Sequence, residues 1–154
     1  MAHVLETGFE ILNRENPNGS PTVMGYNIIN GELRPASDGE TFESRNPAWS
    51  DDCLGVFPLS TKDDVHDALI SAREAFSQWS QTPAPTRGQI IGNMGRLLME
   101  HKDDIVRVES REIGKTLKES AGEVQEAIDT CLFFQSEGRR LYGQTVNSEL
   151  PDKE

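Results

Sequence analysis

The sequence has few cysteines, few basic side chains and no long apolar run. Its two cysteines, Cys53 and Cys131, are too sparse for the disulfide framework of a small secreted domain, which indicates a reducing compartment. Basic side chains number 15 against 26 acidic ones, giving a net charge of −11 that would repel a phosphate backbone or an anionic membrane. No segment resembles a secretory leader or a membrane-spanning helix. We therefore expect a cytoplasmic protein without nucleic-acid or membrane partners.

Apolar residues are also scarce for a chain of this length. The 154 residues suit a single domain, but a hydrophobic fraction of 35% is low for a globule that forms its core alone. Four periodic apolar segments nevertheless distinguish the chain from a disordered one. This combination predicts a folded unit that lacks part of its packing surface.

The first half of the chain predicts a small β layer over residues 25–60. Asn30-Gly31 lies between apolar residues and readily supplies the two positive φ angles of a hairpin turn within 26–34. Two further short strands are predicted at 42–45 and 53–59, separated by the breaker Asn46-Pro47.

Beyond residue 60 the apolar period changes from two to 3.6, which predicts helices. Thr61 can cap the first helix, and Asp63 and Asp64 complement its positive end. We expect its apolar face to be buried in the core. That face consists of Val65, Leu69, Ala72, Phe76 and Trp79.

Three more helices are predicted, ending near residues 101, 113 and 142. Pro83-Ala84-Pro85 separates the first two helices, and Gly114 and Gly143 follow the third and fourth. Gly88, Gly92 and Gly95 share one side of the second helix. Their spacing does not fit the G-x-G-x-x-G dinucleotide motif, so we expect another backbone to approach closely there.

Candidate catalytic groups are few. Gly114-Lys115-Thr116 resembles the end of a phosphate-binding P-loop, but Glu109 stands where the first glycine belongs and the preceding residues are helical. The histidines have no metal-ligand spacing. Cys53 and Cys131 have no neighbouring base that would generate a thiolate, so we expect both to be inert. No catalytic or cofactor-binding residue is assigned.

A series of motifs in fixed order carries a family resemblance. The motifs are Ile29-Asn30-Gly31-Glu32, Asn46-Pro47-Ala48, the stretch 63–79, Pro85-Thr86-Arg87 and Glu112-Ile113-Gly114-Lys115. In this order and spacing, residues 28–154 resemble the amino-terminal third of the aldehyde dehydrogenase superfamily.

The resemblance implies an α/β fold of the aldehyde dehydrogenase type. In this interpretation a flexible extension covers residues 1–24. The amino-terminal part of the NAD(P)-binding domain covers 25–143, with the β layer at 25–60 and helices at 61–143. Residues 144–154 begin the oligomerisation arm. The family fold interweaves a Rossmann-like cofactor domain, a catalytic domain and this arm, and implies a homodimer or homotetramer.

The activity implied is NAD- or NADP-dependent oxidation of an aldehyde to a carboxylic acid. The family's P-W-N-F segment, its cofactor-binding lysine and glycine-rich elements, its glutamate base and its catalytic cysteine have no matching position in these residues. We therefore expect the 154 residues alone to be an inactive amino-terminal fragment that contributes framework.

Two groups of residues are candidates for function through the resemblance. The backbone carbonyls of Ser44 and Arg45 and the Glu112 side chain match a monovalent-cation site for Na+ or K+, although aspartate is usual where Glu112 stands. Glu123 and Glu126 lie on the helix that borders the substrate tunnel. A carboxylate there could select aldehydes that carry an amino or ammonium group, as in aminoadipate semialdehyde-type members; the alternative is a solvated helix face.

Two other functions remain open from the residues. The chain could be a stand-alone helical interaction or regulatory module derived from the front end of the family. A phosphate-binding enzyme would rest only on the incomplete match at Gly114-Lys115-Thr116.

Overall fold

The computed structural model describes residues 10–12, 16, 19 and 22–143. Within them the chain forms six short strands followed by four helices. The strands are β1 (Glu10–Leu12), β2 (Thr22–Met24), β3 (Asn27–Ile29), β4 (Glu32–Arg34), β5 (Thr41–Arg45) and β6 (Cys53–Pro58). The helices are α1 (Lys62–Gln81), α2 (Ala84–Glu100), α3 (Lys102–Ile113) and α4 (Leu117–Glu137). Among the described residues, none of the helices combines the length and the apolar composition that spanning a bilayer requires.

Four of the strands form one mixed sheet in the order β1-β2-β6-β5. β2 runs parallel to β6, and the β1–β2 and β5–β6 pairs are antiparallel. β6 is central, and its residues 53–56 are buried. The predicted flexible extension over 1–24 is wrong for Thr22–Met24. These residues form β2, which pairs with β6, and the Thr22 hydroxyl donates to the Cys53 carbonyl at 3.2 Å.

The predicted hairpin is confirmed. β3 and β4 pair antiparallel and form a separate two-stranded sheet. Asn30 and Gly31 have φ angles of 54° and 76°, the two positive values that a type I′ turn requires.

The start of α1 follows the predicted capping by Thr61, and α4 begins in the same way at Thr116. The hydroxyls of Thr61 and Thr116 each accept a hydrogen bond from the backbone N–H of the third residue of their helix, and the Asp64 and Glu119 carboxylates each accept one from the backbone N–H of the cap residue. Both α1 and α4 thus begin with a capping box, which pairs amides that a helix start leaves unsatisfied. α3 ends at Gly114 in the left-handed conformation, with a φ of 75°.

The fourth helix ends earlier than predicted. α4 stops at Glu137 and not at residue 142. At Gly138 the chain passes the start of α2, where an added Cβ would lie 2.2 Å from the Ala84 carbonyl oxygen. The close contact with α2 and the low helix propensity of glycine explain this end.

The core lies where α4 packs against α2 and α3. Val106, Val124 and the fully buried Ile128 form its centre. α2 crosses α4 along its glycine face: a Cβ on Gly88 would lie 2.4 Å from the Gln135 carbonyl oxygen, and one on Gly95 would lie 2.8 Å from the Cys131 Cβ. The expected close approach of a second backbone is confirmed.

The predicted burial of the α1 face is wrong for the described chain. Leu69 and Phe76 are 64% and 65% exposed, and Val65 and Trp79 are also exposed. The periodicity places these side chains on one face correctly. However, α1 packs mainly against β3, and this contact leaves the face exposed. No other described element covers the face.

Candidate functional site

The junction between α3 and α4 is a network of ionised side chains. The Ser110 hydroxyl donates to the Lys115 carbonyl at 2.7 Å, which holds the turn after Gly114. The Lys115 ammonium then lies 3.0 Å from Glu109 Oε1 and also donates to Glu123. Glu109 belongs to α3 and Glu123 to α4, so this one cation joins the two helices.

The contacts within the network favour the charged forms of Lys115 and Glu123. Hydrogen bonds to Glu123 and Glu109 raise the pKa of Lys115, against the opposing effect of desolvation. The hydrogen bond from Lys115 lowers the pKa of Glu123. Both partners are therefore ionised at neutral pH.

This arrangement argues against phosphate binding at Gly114-Lys115-Thr116. Two carboxylates neutralise Lys115, and the Thr116 hydroxyl is committed to the capping box with Glu119. Glu109, which occupies the place of the first P-loop glycine, is one of the groups that bind the lysine. An ATP phosphate would meet negative charge there.

The structure separates the two predicted tunnel carboxylates. Glu123 shares a groove of about 320 Å³ between α3 and α4 with Glu109 and Glu112. Glu126 lines a different, open groove of about 470 Å³, which also contains Phe133 and Phe134. Glu123 is paired with Lys115, so Glu126 is the better placed of the two to meet an external cation.

The predicted cation ligands come from two regions. Ser44 and Arg45 end β5, where the pairing register with β6 shifts, and the Arg45 side chain donates to the Ser50 carbonyl at 2.9 Å. Glu112 lines the α3–α4 groove. No group of three or more His, Cys, Asp or Glu side chains suited to a metal ion occurs in the described part of the chain. A monovalent-cation site at Ser44, Arg45 and Glu112 stays a prediction.

A buried ion pair was missed from the sequence. Asp52 is fully buried, and Arg111 of α3 donates to both of its carboxylate oxygens, at 2.7 and 3.0 Å. The Asn46 amide donates to the same carboxylate at 3.1 Å. The partners Asp52 and Arg111 are 59 residues apart, so no local pattern links them. The pair anchors α3 to the turn that precedes β6.

Both thiols lie in packed surroundings. Cys53 and Cys131 are free and buried. Cys131 faces Gly95 across the contact of α2 with α4. A buried thiol without a neighbouring base is a poor nucleophile.

This arrangement of a mixed sheet and four helices is the amino-terminal part of the aldehyde dehydrogenase fold. Residues 34–154 match the profile of the Aldehyde dehydrogenase family. The chain belongs to this family, which confirms the family and the fold class inferred from the ordered motifs.

Curated relatives match most of the chain. Succinate-semialdehyde dehydrogenase [NADP(+)] of Escherichia coli is 37% identical over 126 residues, which is 82% of this chain and 26% of that protein. The alpha-ketoglutarate semialdehyde dehydrogenase of Haloferax volcanii is 36% identical, with the same coverage of 82% and 26%. The chain therefore spans about a quarter of the length of these relatives.

Solved structures give the same result for the fold. A variant of betaine aldehyde dehydrogenase from Staphylococcus aureus in complex with NAD+ superimposes with a TM-score of 0.76 at 28% identity, covering 82% of this chain and 26% of that one. An NAD-dependent aldehyde dehydrogenase from Sinorhizobium meliloti gives a TM-score of 0.80 at 24% identity, covering 95% and 30%. The latter likeness concerns the fold alone.

Proposed function

We propose that the protein containing these residues oxidises an aldehyde to a carboxylic acid with NAD or NADP as hydride acceptor. The family match over 34–154 carries this proposal. Relatives named as semialdehyde dehydrogenases and a neighbour bound to NAD+ support it.

We propose further that the 154 residues supply framework and do not oxidise aldehydes by themselves. Such oxidation requires an activated nucleophile and a bound hydride acceptor. The described thiols are both buried. The glycines of α2 face Gln135 and Cys131 of α4, so they do not form an open cradle for a dinucleotide. We assign neither the catalytic steps nor the cofactor to any described residue.

Substrate selection is proposed for side chains of α4. We keep Glu123 and Glu126 as candidate selectors of an aldehyde carrying an amino or ammonium group. Glu126 is favoured, because it lines the groove beside Phe133 and Phe134, where carboxylate and aromatic faces both attract cations. Glu123 already neutralises Lys115.

A second candidate function, a helical interaction module, is favoured by one observation. The apolar face of α1 is exposed at Leu69 and Phe76, and a contiguous exposed apolar face commonly marks a binding surface. In this alternative the chain acts through a bound partner and without an aldehyde.

Compartment and assembly are proposals as well. Free thiols at Cys53 and Cys131 support a reducing compartment, and we propose the cytoplasm. Homodimeric or homotetrameric assembly rests on the family resemblance alone.

The test follows NAD(P)H formation by the complete product of the gene that encodes these residues, with a series of semialdehydes and both cofactors. We expect turnover of at least one semialdehyde. The purified 154-residue chain, assayed in parallel, should produce no NAD(P)H. A gene product that oxidises no aldehyde would contradict the enzyme proposal, and turnover by the 154-residue chain would contradict the framework proposal.

A further inference from the structure

Glu123 and Glu126 are neighbours on α4, but their electrostatic surroundings differ. Side chains three residues apart lie on the same side of a helix, with their Cβ atoms about 5–6 Å apart. The Glu123 side chain is 57% exposed and pairs with the Lys115 ammonium. Glu126, by contrast, has no hydrogen-bond or ion-pair partner among the residues that the structure describes.

Lys115 is held in place at both its backbone and its ammonium group. The Ser110 hydroxyl donates to its carbonyl at 2.7 Å. The preceding Gly114 lies against Pro47, where an added Cβ would approach to 2.8 Å. The ammonium lies 3.0 Å from Glu109 Oε1, and the lysine side chain is only 17% exposed. A lysine fixed in this way loses little further freedom on pairing, so its contact with Glu123 is more persistent than an ordinary surface ion pair.

Pairing with Lys115 therefore controls the charge that α4 presents. Of the two candidate selectors, Glu126 alone keeps an uncompensated negative charge. If Glu123 were released from the lysine, two carboxylates would lie side by side. Such a pair would attract cations more strongly and repel anions more strongly, and both effects depend on the charge of the bound molecule and not on its shape.

We propose that Lys115 is a specificity-determining residue, which neutralises Glu123 and so limits the negative charge that α4 presents to the substrate. Lys115 acts through Glu123 and touches no substrate atom itself, so it is a positioning residue. This inference rests on the proposed function, in which carboxylates of α4 select the aldehyde by its charge.

The test measures KM and kcat of the complete gene product with three aldehydes. The first two are butanal with a terminal trimethylammonium group and butanal with an uncharged tert-butyl group of the same shape. The third is succinate semialdehyde, which ends in a carboxylate. Lys115→Met should lower KM for the trimethylammonium aldehyde about fivefold and raise KM for succinate semialdehyde by about the same factor, because it frees one carboxylate. The change should fall on KM and not on kcat, and KM for the tert-butyl aldehyde should change less than about twofold.

The matched control is Lys118→Met, which removes the same charge from an exposed position in the first turn of α4. It should leave the three KM values within about twofold of the parent. Lys115→Arg keeps a cation and should retain the parent preference.

Two double variants separate charge from packing. Lys115→Met with Glu123→Gln should restore the parent preference, because no freed carboxylate remains. A loss of packing between α3 and α4 would not be reversed in this way. Lys115→Met with Glu109→Gln removes the part-buried carboxylate that also loses its partner, and it should show the same shifted preference as Lys115→Met alone.

Binding of the non-reacting butyltrimethylammonium ion, measured by calorimetry, separates this inference from the dehydrogenase proposal. Binding should tighten about fivefold in Lys115→Met. If it tightens while the gene product oxidises no aldehyde, the role of Lys115 is supported and the dehydrogenase proposal alone is contradicted. The role of Lys115 is overturned by unchanged binding, by equal charge preferences in parent and Lys115→Met, or by a shift that Glu123→Gln does not reverse.

Discussion

The contact between α2 and α4 differs sharply from the surroundings of α1, although both regions are amphipathic helices. At the contact, glycines bring the helices so close that a Cβ on Gly88 would clash with the Gln135 carbonyl, and Ile128 is fully buried. On α1, Leu69 and Phe76 remain largely in solvent. Apolar periodicity identifies side chains that share a face, but it does not identify whether a partner covers that face.

Loss of the buried Asp52–Arg111 ion pair should lower the stability of the chain more than any other change considered below. Arg111→Met leaves the fully buried Asp52 carboxylate without its guanidinium partner, so we expect the free energy of unfolding to fall by about 3–5 kcal/mol. The matched control is Arg107→Met on the same helix, because Arg107 pairs with Asp104 in solvent. Its effect should stay within about 0.5 kcal/mol. Urea denaturation of both variants measures the difference, and equal losses would show that the buried pair is not an anchor.

Truncation of apolar side chains tests the comparison itself. Ile128→Ala removes a fully buried side chain of α4 and should lower the free energy of unfolding by about 2–4 kcal/mol. Leu69→Ala on the exposed α1 face should change it by less than about 0.5 kcal/mol. If Leu69→Ala proves as costly in thermal or urea unfolding, α1 is covered in solution and the contrast is wrong.

Glycine substitutions probe the close approach of α2 and α4. Gly88→Ala should destabilise the chain by about 1–3 kcal/mol, because its Cβ meets backbone that cannot move aside. Gly122→Ala lies within α4 with nothing within 4 Å of the added Cβ. It should stabilise the chain by up to about 1 kcal/mol through helix propensity. Melting temperatures shifting in opposite directions would support the packing; a neutral Gly88→Ala would contradict it.

The smallest effect concerns acid stability at the start of α1. The backbone N–H of Thr61, followed by that of Ser37, lowers the pKa of Asp64 against the opposing effect of desolvation. Because the folded-state pKa lies below the unfolded value of about 3.9, this stabilisation is present above about pH 4 and is lost as the pH falls further. Asp64→Asn should flatten the decline of the melting temperature between about pH 5 and 3. The exposed Asp63→Asn serves as control, and equal flattening by both would refute a specific role for Asp64.

Local chemistry accounts for what the sequence predicted well. Asn30-Gly31 supplies the hairpin turn, Thr61 caps α1, and Gly114 ends α3. Each of these features depends on residues within one or two turns. These features can therefore be predicted from residues that are adjacent in the sequence.

Long-range contacts explain what the sequence did not reveal. The Asp52–Arg111 pair joins residues far apart in the chain, and the early end of α4 depends on Ala84 approaching Gly138. At the candidate site, the sequence placed Glu123 and Glu126 on one helix but not in different grooves. Glu123 lies in the α3–α4 groove, where it pairs with Lys115, whereas Glu126 lines the other groove. Such assignments require the packing of α3 against α4.

Native-state hydrogen exchange of the 154-residue chain tests the central contrast most directly. Amides around Ile128 of α4 should exchange at least about 100-fold more slowly than those around Leu69 of α1, because burial against α2 and α3 must be lost before α4 opens. Equal protection of the two helices, or slower exchange in α1, would contradict the account.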